Sequence, residues 1–309
     1  MSACVIAEPQ PHLNRPARVS VLMLTYNRPQ FIGRAIQSVI DQDWPEWELI
    51  VVHDGADERI ADLMRNWEAA DRRIRYLRRP QGGNIANATN YGIAHAKGDY
   101  IAILDDDDYW ISKQKLTRQV RFLDENPDYA ACGGGMIVID ESGREKLRCL
   151  KRQHDGDLKR WALVANPIAH STAMFRRSLI ERCGRYDESL DGFQDWDVFL
   201  KLGQHGKLYN FREAFLCYTL WSGGGSFARH RSNTRSALTI VHRHGRAYRG
   251  FLPAIVLAGL HFGYAHLPAA LRRLSFSFLS RAKKAFFSER PKESREAAEE
   301  IVYEATSAR

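Results

Sequence analysis

The chain has 309 residues, of which 44% are hydrophobic, and its formal net charge at pH 7 is +8. This length allows one large domain with an appendage or two modest domains, and the hydrophobic content places the chain among globular proteins. The five cysteines are odd in number and widely spaced, and they form no CxxC or Cys/His ligand pattern, which argues against a zinc site and predicts reduced thiols.

The first 18 residues contain three prolines and no apolar run long enough for a signal peptide. We therefore predict a disordered N-terminal segment over 1–18 and a cytoplasmic protein.

From Arg18 onward, apolar runs alternate with helical patterns. The run VSVLMLTY is nearly continuous, as in a buried parallel strand, and Pro29 fits the first turn of the helix that follows. Strand, helix and strand at this spacing predict right-handed βαβ units, a parallel sheet, and ligand binding at the carboxyl ends of its strands. The predicted strands cover 19–26, 48–53, 74–78 and 100–104, and the predicted helices cover 29–42, 57–70 and 84–96.

Four aspartates, Asp105 to Asp108, follow the last of these strands in the string YIAILDDDDYW. Two carboxylates about 4 Å apart repel by roughly 1 kcal/mol in water and about 4 kcal/mol near a protein surface, so the run needs a cation nearby. Mg²⁺ or Mn²⁺ suits it, because such ions are held by one or two carboxylates together with water and substrate phosphates. A solvated acidic loop is the alternative, against which the buried strand and the aromatic residues Tyr109 and Trp110 argue.

The second half, 130–227, is less regular and mixes possible strands with a helix around 195–205. The possible strands are ACGGGMIVID, HSTAMFR and LCYTLW. A dinucleotide-binding Rossmann domain needs GxGxxG after the first strand, where this chain has LTYNRP. A P-loop is excluded too, since GxxxxGK[ST] occurs nowhere.

Basic residues concentrate near the C-terminus, where residues 229–249 hold six arginines and no acid. A nucleic-acid-binding protein is one interpretation. However, the chain has no recognisable nucleic-acid-binding motif, and this interpretation gives the aspartates no role. We therefore expect no nucleic-acid partner and favour anionic membranes or phosphorylated substrates as the partners of the basic residues.

The segment 251–268 is apolar but shorter than a transmembrane helix, and His261 and His266 interrupt it. Between 272 and 287, arginines and lysines alternate with leucines and phenylalanines. This pattern predicts an interfacial helix on anionic lipid, hence peripheral contact with the cytoplasmic face of the inner membrane. Packing on the rest of the chain, or on a second copy in a homodimer, is the alternative.

Four segments, in this order, resemble the inverting family 2 glycosyltransferases of the GT-A fold. VSVLMLTYNRP resembles the opening strand and turn, ELIVVHDGADE the second strand with its nucleotide-binding aspartate, AKGDYIAILDDDDYW the strand with the DxD motif, and FQDWDVFLKLGQHGK the segment with the catalytic base. The resemblance implies an α/β fold in which helices flank a mixed, mainly parallel sheet. We expect a catalytic domain over 19–227, divided into a nucleotide-binding half (19–110) and an acceptor half (111–227), and a C-terminal helical tail over 228–309.

Carried over by residue, the resemblance implies that Asp54 accepts a hydrogen bond from the ring N–H of the base, with Asp107 as the preferred direct ligand of Mn²⁺ or Mg²⁺. An Asp-Gly turn is the alternative role of Asp54. The amides at the helix start near Gly82, Gly83 and Asn84 are expected to contact the diphosphate. The predicted donor-binding residues are Thr25, Tyr26, Asp54, Asn84, Asp105 and Asp106, and the predicted metal ligands are Asp105 and Asp107.

The resemblance also implies that Asp195 is the general base that takes the proton of the acceptor hydroxyl. Asp195 and Asp197 flank Trp196 near the start of a predicted helix, so an N-cap is the alternative role for either carboxylate.

The chain departs from the family pattern at several positions. Ala88-Thr89-Asn90 stands where relatives commonly place an arginine before the asparagine, and Gln194 replaces an acid before the base. Trp221 occupies the position at which some relatives have a metal-binding histidine, and His230 is the candidate to replace that histidine. His170 is expected either to face the acceptor or to be a buried structural histidine. The SGGGS at 222–226 suits either a lid or a linker.

The predicted function is therefore metal-dependent, inverting transfer of a sugar from a nucleotide-diphosphate sugar, expected to be UDP-linked, to a hydroxyl of a glycan or lipid-linked acceptor. Bacterial-type cell-surface polysaccharide synthesis is the expected setting. The alternative is a nucleotide-sugar-binding module without turnover, which the missing arginine and histidine make conceivable.

Overall fold

A computed structural model describes residues 17–79, 83–221 and 230–267 of the chain. The SGGGS segment at 222–226, predicted as either a lid or a linker, lies outside the described residues, as do the tail beyond 267 and nearly all of the N-terminal segment. The strands are β1 (Val19–Thr25), β2 (Trp47–His53), β3 (Ile74–Arg78), β4 (Tyr100–Asp105), β5 (Tyr109–Trp110), β6 (Tyr129–Ile139), β7 (Glu145–Cys149), β8 (Met174–Arg176) and β9 (Lys207–Thr219).

The helices follow the strands in a largely alternating order. They are α1 (Pro29–Ile40), α2 (Glu58–Ala70), α3 (Ile85–His95), α4 (Lys115–Glu125), α5 (Asp155–Trp161), α6 (Arg177–Arg182), α7 (Gln194–His205), α8 (His230–His244) and α9 (Phe251–His266). A short 3₁₀ turn, His170–Thr172, precedes β8. Among the described residues, none of the helices is long and apolar enough to span a membrane.

The first four long strands form the parallel part of the sheet, in the order β3-β2-β1-β4. In the register of these strands Thr25 lies beside His53, and Leu24 lies beside Asp105. The residues that follow β1, β2 and β4 therefore meet at one edge of the sheet, as the βαβ pattern predicts.

The remaining strands make the sheet mixed. β8 pairs antiparallel with both β4 and β6, β9 runs parallel to β6, and the short β5 pairs antiparallel with the end of β9. β9 begins directly after α7 and ends at Thr219, so it brings Trp221 back toward the aspartate run. The predicted fold class, a mainly parallel α/β sheet flanked by helices, is confirmed.

Apolar residues cover both faces of the sheet. On one face, buried residues of α1, α2 and α4 pack on the strands, and on the other face residues of α3, α6 and α7 do so. A third cluster joins α7 to the C-terminal helices α8 and α9, with Trp196, Leu200 and Ile240 at its centre. The sheet edge is therefore held on a rigid three-layer scaffold.

One buried cation lies in the core beside this edge. Lys115 is fully buried; its Nζ donates to Gln119 Oε1 at 2.7 Å and lies 3.9 Å from the centroid of the Trp110 ring. Burial lowers the pKa of Lys115 from 10.5 to about 7. The unfolded chain therefore binds a proton more readily than the folded protein between these two values, and the free energy of unfolding rises with pH across that window.

We expect Lys115→Met to raise the free energy of unfolding at pH 7 by about 1–3 kcal/mol, because an apolar side chain of similar length removes the cost of burying an ammonium group. The gain should shrink as the pH approaches 10. Urea unfolding at pH 7 and pH 9.5 measures both effects, with the exposed Lys113→Met as the matched control. Destabilisation at pH 7, or a gain that does not depend on pH, would contradict the prediction.

Candidate active site

Side chains from three strand ends meet at the carboxyl edge of the parallel strands. Thr25 closes β1 and is buried, Asp54 follows β2, and Asp105 closes β4. Tyr26 projects from the same edge with 60% of its surface exposed, so its ring is free to stack on a ligand.

Asp54 forms one corner of the site. One carboxylate oxygen pairs with the Arg79 guanidinium at 3.0 Å, and the other accepts from the main-chain N–H of Gly83 at 3.2 Å. Burial raises the pKa of Asp54, and the Arg79 charge and the Gly83 N–H oppose that rise. The carboxylate therefore does more than close an Asp-Gly turn.

The loop that carries Asp54 is fixed by Asn27. This residue has a left-handed φ of 51°, and its Oδ1 accepts from the main-chain N–H groups of Ala56 and Asp57 at 3.1 Å each. A Cβ at Gly55 would come too close to that same amide oxygen, so a larger residue would displace the Asn27 side chain from these hydrogen bonds.

The four aspartates have different environments. Asp105 accepts from Ser171 Oγ at 2.9 Å and lies 3.7 Å from His170 Nδ1. Asp106 and Asp108 are buried, and Asp108 Oδ1 accepts from the main-chain N–H of Thr219 at 3.1 Å.

The pKa values of these carboxyls separate accordingly. Burial raises the pKa of Asp106 to about 7 and raises that of Asp108 well above its usual range. For Asp105, burial also acts to raise the pKa, but the contacts with His170 and Ser171 outweigh it and hold the pKa below its usual value. The run therefore carries fewer than four negative charges near neutral pH.

The cation that the aspartate run requires is present in the chain itself. One guanidinium nitrogen of Arg28 pairs with Asp106 Oδ1, and the other lies 2.5 Å from Asp107 Oδ2. Trp221 Nε1 donates to the same Asp107 oxygen at 2.9 Å. By the family resemblance, Trp221 stands where some relatives place a metal-binding histidine. The role of Arg28, in the turn LTYNRP after the first strand, was not predicted.

A divalent metal would be held by few protein ligands here. In the described part of the chain, no three His, Cys, Asp or Glu side chains form a group that could hold a metal. The donor set still fits Mg²⁺ or Mn²⁺ in kind, since these ions take one or two carboxylates from a protein and the rest of their ligands from water and substrate phosphates. The two carboxylates predicted for that role, Asp105 and Asp107, each already accept a hydrogen bond within the protein.

The predicted base, Asp195, is the second residue of α7 and accepts from Asn166 Nδ2 at 2.5 Å. The N-cap position belongs to Phe193, whose φ is 56° and which makes no side-chain capping bond. Neither Asp195 nor Asp197 is therefore an N-cap.

His170 and Tyr186 lie within hydrogen-bonding distance of each other, beside Asp105. His170 Nε2 is 3.0 Å from the Tyr186 hydroxyl. Although burial lowers the pKa of His170, the carboxylates of Asp105 and Asp195 raise it above the usual value. Both carboxylates also contribute to the raised pKa of Tyr186, of which burial is the main cause. The charges of Asp105 and Asp195 therefore both act on His170 and Tyr186.

Asn84 and Asp197, two residues considered in the sequence analysis, make contacts within the fold. Asn84 caps α3: its Oδ1 accepts from the Asn87 N–H at 3.0 Å, and its Nδ2 donates to the Glu188 carbonyl at 2.7 Å. Asp197 is buried at the far side of α7, 2.8 Å from Lys201, 2.8 Å from Arg243 and 2.9 Å from His244. The His230 side chain lies outside the described residues.

The region that holds this site is similar to known proteins. The family described as Glycosyl transferase family 2 matches residues 20–184. EpsE of Bacillus subtilis (strain 168), named a glycosyltransferase, is 29% identical over 206 residues, which are 65% of this chain and 73% of that protein. The O-antigen biosynthesis glycosyltransferase WbnJ of Escherichia coli is 26% identical over 189 residues, which are 60% of this chain and 71% of that protein.

Solved structures share the fold. The mannosyltransferase PcManGT from Pyrobaculum calidifontis, in complex with GDP-Man and Mn²⁺, superimposes with a TM-score of 0.61 at 20% identity and covers 97% of this chain and 83% of that one. TarS of S. aureus in complex with UDP-GlcNAc gives a TM-score of 0.60 at 18% identity, covering 81% and 72%. At these identities the likeness shows the fold alone.

Proposed function

Because this chain belongs to glycosyl transferase family 2, we propose that it transfers a sugar with inversion from a UDP-linked donor to a hydroxyl of a glycan or lipid-linked acceptor. The observation that carries the proposal is that Asp54 and the aspartate run stand at the carboxyl edge of the parallel strands. His170, 3.7 Å from Asp105, also responds to the charge of Asp195, which supports a proposed base near this edge. The O-antigen relative supports a setting in cell-surface polysaccharide synthesis.

In the proposed reaction, Asp195 takes the proton of the acceptor hydroxyl as its oxygen attacks the anomeric carbon and the bond to the diphosphate oxygen breaks. A single displacement of this kind inverts the anomeric centre. Asn166, whose amide donates to Asp195, fixes the direction of the carboxylate. The oxygen of Asp195 that Asn166 does not hold is the one proposed to accept the proton.

The nucleoside is proposed to lie against β1 and β2. Asp54 would accept from the ring N–H of the base, with Arg79 holding the carboxylate in place, and the exposed ring of Tyr26 would stack on the nucleoside beside Thr25. Arg28 and Arg79 are the cations proposed to replace the family arginine that Ala88-Thr89-Asn90 lacks. Asn84 is proposed to contribute by capping α3 beside this corner.

Asp107 and Asp105 are the residues proposed to hold Mn²⁺ or Mg²⁺. When bound, the ion would stabilise the charge that develops on the leaving diphosphate. Asp106 is proposed to border the donor through its buried pair with Arg28.

A panel of UDP- and GDP-linked sugars tests the proposal, with release of the nucleoside diphosphate measured with and without an acceptor and with and without Mn²⁺. Acceptor- and metal-dependent release supports a transferase. Tight binding with no release for any donor and acceptor pair would instead support the sugar-nucleotide-binding module.

We also propose that the C-terminal helices contact anionic lipid from the cytoplasmic side. Leu252, Val256 and Leu260 form one face of α9, and Leu252 and Leu260 are 71% and 61% exposed. The stretch from Ala214 to Ser288 contains no Asp or Glu. An exposed apolar face within an entirely basic region fits the surface of an anionic bilayer.

Replacing both Leu252 and Leu260 by Glu is expected to lower sedimentation with phosphatidylglycerol vesicles at least about fivefold, because two acidic groups must then approach an anionic surface. Asn66→Glu with Ala69→Glu, on the exposed face of α2, adds the same charge elsewhere and should have a small effect. Unchanged vesicle binding together with a loss of dimers in analytical ultracentrifugation would assign the face to a second copy of the chain.

The catalytic domain is proposed to span 19–227 and the tail 228–309. In support, β9 contributes Trp221 to the site, so the proposed domain extends beyond the family match.

A further inference from the structure

The most unusual contact in the site is the one between Arg28 and two neighbouring carboxylates. A single guanidinium group bridges Asp106 and Asp107, and the side chains of these aspartates are 0% and 17% exposed. The Arg28 guanidinium also lies 5.7 Å from the centroid of the Trp221 ring. Burial acts to lower the pKa of Arg28, but the charges of Asp106 and Asp107 outweigh it and raise that pKa above its usual value. The guanidinium therefore stays cationic.

Two features hold Arg28 in place. Asp106 is fully buried, and a buried carboxylate without a partner is strongly destabilising. The fork of the guanidinium also matches the spacing of two acceptors, which a lysine ammonium cannot reproduce. Arg28 is therefore anchored on Asp106 and reaches Asp107 from there.

The contacts of Asp107 conflict with its proposed role as a metal ligand. Its Oδ2 already accepts from Arg28 and from Trp221, and neither donor group is able to bind a metal. A divalent ion at this oxygen would have to displace these donors and would also lie close to the positive charge of Arg28. In a partly buried setting, that repulsion is stronger than it would be in water and opposes binding of the ion.

We propose that Arg28 is a built-in counter-cation that keeps a divalent metal off Asp107 until a nucleoside diphosphate is present. The diphosphate supplies acceptor oxygens for the Arg28 guanidinium, which frees the Asp107 oxygen, and it supplies further oxygen ligands for the ion. Metal and nucleotide then bind with positive coupling, and each raises the affinity for the other by the same factor. This inference rests on the proposed metal dependence.

The test uses the full chain and measures the binding of Mn²⁺ from the electron paramagnetic resonance signal of the free ion, with and without UDP or GDP. In Arg28→Met with Asp106→Asn, the buried pair is removed as a unit, so no lone buried charge remains. We expect this double variant to bind Mn²⁺ at least about tenfold more tightly than the wild type without nucleotide. Its coupling factor should fall toward one.

Arg34→Met is the matched control. The Arg34 guanidinium donates to the main-chain carbonyl of Asp107 at 3.0 Å and to Thr219 Oγ1 at 2.9 Å, so its loss removes a nearby positive charge without freeing the carboxylate. We expect Mn²⁺ affinity close to that of the wild type. Arg28→Lys should be intermediate, because one ammonium group cannot bridge both aspartates. Thermal unfolding by circular dichroism shows whether each variant is folded.

The proposal is overturned if the folded double variant binds Mn²⁺ no more tightly than the wild type, or if its coupling factor is unchanged. Failure of the metal dependence itself gives a different result. In that case Mn²⁺ binding would be absent from every form, with nucleotide as well as without it, and Asp107→Ala would be indistinguishable from the wild type.

Discussion

Replacing Asp195 by asparagine is expected to lower kcat about 10²- to 10⁴-fold, which is the usual contribution of a general base. Asparagine keeps the size of the side chain and is able to retain a hydrogen bond with Asn166, but it cannot take a proton from the acceptor hydroxyl. The dissociation constant of the nucleoside diphosphate should change less than threefold, since Asp195 lies on the acceptor side. Steady-state release of nucleoside diphosphate and calorimetric titration measure the two quantities.

Asp191→Asn is the matched control for this variant. Asp191 is exposed and lies only four residues before Asp195, so the same substitution there should leave kcat within about twofold of the wild type. If Asp195→Asn retained wild-type turnover, or lost nucleotide affinity as well as turnover, the assignment of the base would be wrong.

Asp107→Ala is expected to give the opposite pattern. The nucleoside diphosphate should bind at least about tenfold more weakly in the presence of Mn²⁺, a loss of about 1.4 kcal/mol. Without metal, its affinity should be nearly unchanged. Because the ion is proposed to stabilise the leaving group, kcat/KM should also fall by about 10²-fold or more.

The control for this second variant is Asp62→Ala on α2, an exposed carboxylate that also has an arginine partner. It should bind nucleotide as the wild type does, with and without Mn²⁺. A wild-type response of Asp107→Ala to Mn²⁺ would remove Asp107 from the metal site, and Asp105 would remain as the proposed ligand.

The first half of the fold could be read from the sequence with small errors at the element ends. The predicted strand 74–78 coincides with β3, and the predicted helix 84–96 contains α3. The strands β1 and β2 are specified by local patterns, since each is a buried and largely apolar run, and turn residues separate the elements. In the second half, β9 runs over Lys207–Thr219, whereas only its end was predicted. Charged and half-buried residues along β9 hide its strand pattern.

The site could be predicted in part for the same reason. Asp54 and Asp105 lie at the same edge of the sheet because each stands at the carboxyl end of a parallel strand, which is a property of local sequence and topology. Arg28 is 79 residues from Asp107, and Trp221 is 114 residues from it. No local pattern indicates where those side chains point, since their directions depend on the sheet register and on the return path of β9. The sequence indicated that a cation was needed, but it did not indicate that an arginine would be present.

The contacts of Asp197 determine which fragments of the protein are suitable for experiments. Burial acts to raise the pKa of this carboxyl, but His244, Lys201 and Arg243 outweigh it and hold the pKa well below its usual range. Of these partners, Arg243 and His244 belong to α8. A fragment that stops at residue 227 would keep Asp197 in the helix of the proposed base with Lys201 alone beside it. The smallest fragment suitable for crystallisation or enzymology therefore has to include α8 and the packing of Tyr248 against Leu200.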